Sequence, residues 1–75
     1  MNEKNIVLNS VEAAKGFVKA ASECDFDIDV YFNRIALDAK SLLGILSLDL
    51  RNQLRVCYSG ENVGFNTVLA KYAVQ

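Results

Sequence analysis

The chain contains no histidine and no proline, and its 75 residues include only two cysteines and four glycines. The missing histidine removes Ser-His-Asp and Cys-His machinery and the usual general base near neutral pH. We therefore expect no catalytic centre and no enzyme. Cys24 and Cys57 lie far apart, form no CxxC pair and have no histidine to join them. That is poor zinc-site material, and nothing else points to an exported disulfide framework. Two reduced, partly buried thiols are expected, with no metal and no cofactor. The absence of proline leaves no Pro-rich linker, and no internal repeat or low-complexity tract is present, so element boundaries rest on periodicity and polar breaks.

Strong charge is also missing. Eight basic and nine acidic residues leave a formal charge of −1, which gives no electrostatic reason to expect nucleic acid or an anionic membrane as partner. No apolar run approaches the ~20 residues of a membrane span. The opening Met1-Asn2-Glu3-Lys4-Asn5 has neither the basic nor the apolar region of a secretory signal, so a cytoplasmic protein is expected. Apolar residues make up 52% of the chain, enough for a real core. Residues 1–75 read as a single domain, at a size where one core stabilises the fold only modestly.

Periodicity then divides the chain. Lys4-Asn5-Ile6-Val7-Leu8-Asn9 is rich in β-formers and predicts a first strand. Asn9 and Ser10 are both good helix N-caps, and Asn9 with Glu12 makes a capping-box pattern. Val11, Ala14, Phe17, Val18 and Ala21 follow at helical spacing and predict a helix over about 11–23. From Phe26 the period becomes two: Phe26, Ile28 and Val30 alternate with Asp27, Asp29 and Tyr31. Asn33-Arg34 fits a hairpin tip because asparagine tolerates positive φ. Ile35, Leu37 and Ala39 continue the alternation on the return strand. Ser41 opens a short helix over 42–48, residues 53–59 form another strand, and Gly60-Glu61-Asn62 is a break. Phe65, Val68, Leu69 and Tyr72 outline a last helix. The order β-α-β-β-α-β-α suits an α+β fold with helices on one face of an antiparallel sheet.

One segment carries more than a pattern. Asp38-Ala39-Lys40-Ser41-Leu42-Leu43-Gly44-Ile45-Leu46-Ser47-Leu48 resembles the HPr family, the small phosphocarriers of the bacterial sugar phosphotransferase system, from the third strand through an Ala-Lys-Ser-Leu step into the second helix. Phe17-Val18-Lys19 and the strand, Asn turn, strand layout of 26–39 are similar too. The resemblance runs over roughly residues 6–58. It implies an HPr-like open-faced sandwich with a four-stranded antiparallel sheet in order 1-4-2-3. A second reading is an ACT-like small-metabolite-binding regulatory domain, since ACT domains partly share the element order. Their ligand loops are glycine-rich after the first strand, whereas Leu8-Asn9-Ser10-Val11 has no glycine.

The resemblance also implies sites. In the family a phosphoacceptor histidine opens the first helix, and an arginine two residues later helps hold the phosphoryl group. Aligned on Phe17-Val18, this chain places Ser10 at the histidine position and Glu12 at the arginine position. A helix N-terminus favours an anion, but Glu12 brings its own negative charge, and serine without a base is a poor phosphoryl acceptor. Ser41 matches a serine that a dedicated kinase phosphorylates in some HPr proteins; serine there also simply caps a helix. On a helical wheel Leu42, Leu43, Ile45, Leu46, Leu48 and Leu50 cover roughly 220°, wider than one sheet contact requires. Leu42, Leu43 and Leu46 are therefore candidate partner contacts, either for proteins of the phosphotransferase system and carbon regulation or for self-association. Asp25, Asp27 and Asp29 lack the glycine and distal glutamate of a calcium loop and read as a solvated strand face.

Overall fold

The computed structural model describes residues 1–74. Its elements are β1 (Asn2–Ile6), α1 (Val11–Ser22), β2 (Ile28–Phe32), β3 (Ile35–Asp38), α2 (Leu42–Leu46), β4 (Leu54–Tyr58) and α3 (Val63–Tyr72). The four strands form one sheet in the order β1-β4-β2-β3, and every neighbouring pair is antiparallel. This is an α+β open-faced sandwich. Ile6, Leu54, Val56, Ile28 and Val30 point inward and are essentially inaccessible to solvent. Asn5, Arg55 and Asp29, one residue out of phase, lie on the open face and are exposed, as the period-two alternation requires.

α1 forms where the apolar spacing places it. Ser10 caps it in extended backbone, and its buried face is Ala13, Ala14, Phe17, Val18 and Ala21. The core is joined across elements by aromatic rings. Phe17 of α1 meets Phe65 of α3 with centroids 5.8 Å apart, Phe65 meets Tyr58 of β4 edge-on at 5.4 Å, and Tyr58 stacks with Phe26 at 6.4 Å. Such pairs add about 0.5–1.5 kcal/mol beyond the area they bury. The hairpin turns at Asn33, which takes φ 54°, and Phe32 pairs directly with Ile35.

Boundaries shift in three places. The first strand is Asn2–Ile6 rather than 4–9, because beyond Ile6 the backbone leaves β4: the Val7 N–H donates to the Tyr72 carbonyl and the Asn9 N–H to the Leu50 carbonyl, each at 3.0 Å. Asn9 turns to φ 68°, so Ser10 alone is the cap and no Asn9–Glu12 capping box forms. α2 stops at Leu46, where the Ser47 hydroxyl donates to the Gly44 carbonyl at 2.6 Å. β2 begins at Ile28, because Phe26 instead packs its ring over Gly60 and against Tyr58. The C-terminal segment extends the sheet slightly: Ala73 bridges to Ile6, and the Val74 N–H donates to the Asn5 carbonyl at 3.0 Å.

Two glycines should respond in opposite directions to an added methyl group. Gly16 is exposed within α1 with open space around a built Cβ, whereas a Cβ at Gly60 would overlap the Phe26 ring. In urea denaturation Gly16→Ala should raise stability by about 0.5–1 kcal/mol. Gly60→Ala should lower it by about 1–3 kcal/mol, with a smaller loss in a Phe26→Leu background.

Candidate binding surface on the helix pair

The Ala39-Lys40-Ser41-Leu42 step has a structural task at every position. Ala39 is fully buried, and its N–H donates to the Ile28 carbonyl at 2.9 Å. Lys40 donates its backbone N–H to Asp38 Oδ1 and its ammonium to the Cys24 carbonyl, both at 2.9 Å. The second bond sets a cation just past the end of α1, where the helix dipole favours it. Ser41 caps α2, its Oγ accepting from the Gly44 N–H at 3.2 Å. Leu42 packs on the core edge.

At the other end of α2, the Asn9–Leu50 backbone bond ties the following loop to the entry of α1. α2 therefore runs antiparallel to α1, pinned at both ends. Ser41 sits by the end of α1, and Ser10 by the end of α2. The structure places these two serines at opposite ends of the helix pair and does not bring them together. The helix pair also carries exposed apolar side chains. Leu43 is 84% exposed and Val11 49% exposed, while Leu42 and Leu46 are half-buried against the core.

Ser10 and Glu12 stand at the entry of α1. The Ser10 Oγ accepts from the Ala13 N–H at 3.1 Å and donates to no described residue. Glu12 extends into solvent and reaches Lys15 only at 4.0 Å. A basic residue does lie in the loop after α2, but Arg51 is committed. Its Nε and Nη2 donate to the two carboxylate oxygens of Asp49 at 3.0 and 2.9 Å, and its backbone N–H donates to Oδ1 at 3.1 Å. These bonds lower the Asp49 carboxyl to about 2. Sequence reasoning missed this pair; the Asp-x-Arg spacing was its only signal. The thiols are not poised for chemistry either. Burial, the largest cause for both, pushes Cys24 and Cys57 above the usual cysteine value, and both are free.

A family model described as the PTS HPr component phosphorylation site matches residues 10–62. The match runs from the α1 cap at Ser10 to the α3 cap at Asn62, taking in the hairpin, α2 and β4. No curated protein matches the chain.

Two measurements check the geometry. Ser10→Ala should lower stability by about 0.5–2 kcal/mol through loss of the cap, read by thermal melting. In an NMR pH titration Asp49 should titrate at about 2 and move up toward ~3.9 in Arg51→Gln. A carboxyl depressed in the folded state stabilises above its unfolded pKa. The Asp49 contribution is therefore complete above about pH 4 and fades as the pH falls toward 2. It is small because the pair is exposed.

Proposed function

Because the chain belongs to the HPr family, whose members carry phosphoryl groups within the phosphotransferase system without being catalysts themselves, we propose that it keeps the family's protein-docking role and has given up phosphoryl transfer. One observation carries this reading: the first turn of α1 offers Ser10 and Glu12 where the family pattern has histidine and arginine, in a chain with no histidine at all. A phosphoryl group there would meet Glu12, and the guanidinium of Arg51 in the loop tied to the entry of α1 is paired to Asp49. The chain acts in this proposal as a single cytoplasmic domain over residues 1–75, a regulatory adaptor and not an enzyme. Its contact surface is Leu43 with the flanking Leu42 and Leu46, and its partners are proteins of the phosphotransferase system or of carbon regulation. Ser41 is the proposed regulatory phosphorylation position. A phosphate there carries about −1.5 to −2 charges and would stand beside Leu42 and Leu43, weakening apolar contact. Lys40, whose ammonium holds the Cys24 carbonyl, would offset only part of that charge, since a lysine carries a single positive charge.

Incubated with phosphoenolpyruvate carrying labelled phosphate and with enzyme I, the purified protein should take up no acid-labile label. Ser10→His alone should remain inactive because Glu12 still occupies the anion position; Ser10→His with Glu12→Arg should gain transfer. Acid-labile label on the unaltered chain would overturn the reading. Leu43→Asp, at an 84% exposed position, should change stability by no more than about 0.5 kcal/mol while weakening capture by immobilised enzyme I. Full retention of capture would remove Leu43 from the surface.

A further inference from the structure

β1 breaks its own alternation. Lys4 stands opposite Val56 and Asn2 opposite Tyr58, in phase with the buried Ile6. These are inward positions, where one face of the sheet should be apolar, yet both residues are polar and exposed. Ala70 of α3 and Ala73 just beyond it supply only methyl groups toward the same space. The result is an open cavity of about 540 Å³ between β1, the end of β4 and α3, within the size range of small-molecule sites.

Its polar groups are few and differ in kind. Lys4 and Glu61 both line the cavity but do not pair with each other; the ion pairs among the described residues are Lys15–Glu12 and Arg51–Asp49. The Asn66 side-chain amide donates to Glu61 Oε2 at 2.9 Å and orients that carboxylate. Tyr58 is only 4% exposed. Its hydroxyl bonds to no described residue, and Tyr58 lines this cavity. Burial first, and Glu61 second, raise the phenol's pKa, which keeps it a hydrogen-bond donor at neutral pH. Leu69 and Ala70 give an apolar wall.

We propose that this cavity binds a small zwitterion, a free amino acid or short peptide, with its carboxylate on Lys4 and the Tyr58 hydroxyl and its ammonium on Glu61. Opposite charges that line one cavity without pairing suit a ligand carrying both. A phosphate ester would meet Glu61, and a simple amine would meet Lys4. α3 and β1 form this site at one edge of the sheet, whereas α2 packs at the other edge on β3. The proposal therefore stands apart from the helix-pair surface.

The test is an NMR titration of the ¹⁵N-labelled full chain with L-leucine and with L-alanyl-L-leucine, beside 4-methylpentanoate and isopentylamine, which each keep one charge. At least one zwitterion should produce saturable millimolar shifts at the amides of Lys4, Tyr58, Glu61 and Ala70, and which one does so separates amino acid from peptide. The single-charge probes should bind at least tenfold more weakly. Lys4→Gln and Glu61→Gln, both at exposed positions, should each weaken binding at least tenfold, about 1.4 kcal/mol. Ala70→Phe should abolish it by filling the space. No saturable shift with either zwitterion up to tens of millimolar, equal binding of 4-methylpentanoate, or indifference to both charge variants overturns the proposal.

Discussion

A helix of five residues has little stability of its own, because fixing its first turn consumes most of what its few hydrogen bonds return. α2 stands because the chain pins it at both ends and through its middle. Ser41 caps its start, the Lys40 ammonium reaches the carbonyl of Cys24 just beyond α1, Ile45 is fully buried, and the Asn9–Leu50 bond ties its exit to the entry of α1. Those ties set the antiparallel pairing of α1 and α2, and with it everything proposed for their shared surface. They also explain why Leu43 can remain in water: burial of Ile45 and the two end anchors hold the helix without it.

Much of the fold was legible in the sequence. Phe17, Val18 and Ala21 at helical spacing, Ile28 and Val30 in alternation, and Asn33 at a hairpin tip are local signals, and local contacts realise them. What escaped was decided over distance. Asn2 and Glu3 lie before the predicted strand; they join it by pairing with Tyr58 and Cys57 more than fifty residues away. Val7 and Leu8 look like strand and instead enter a loop whose backbone bonds go to residues 50 and 72. Leu48 and Leu50 extend the helical spacing, yet the chain turns at Ser47, and both pack at the core edge outside α2. The broad leucine arc is thus partly absorbed by the core, leaving Leu43 as its exposed member. The Asp49–Arg51 clamp and the β1–α3 cavity depend on side-chain placement, which no periodicity reports.

The family relation and the departure from it rest on different parts of the molecule. Fold and membership follow from the packed elements over residues 10–62, where each residue of the Ala39–Leu42 step is used in capping, tethering or packing. Phosphoryl chemistry depends instead on a few exposed side chains at one helix end. Those can change with little effect on the core, since Ser10 still caps α1 and Glu12 projects into solvent. Such a chain can keep the family's fold while the side chains at the entry of α1 change.

Docking without transfer is tested by mapping contact while watching for phosphorylation in the same sample. The ¹⁵N-labelled protein is titrated with enzyme I in the presence of phosphoenolpyruvate, and amide shifts are followed together with the ³¹P spectrum. Perturbations should be confined to α2 and the adjoining entry of α1, centred on Leu43 with Leu42 and Leu46, with no phosphorus signal on the labelled chain. Perturbations on the open sheet face at Tyr31 and Arg55, no perturbation at all, or a phosphoryl adduct at Ser10 would contradict it.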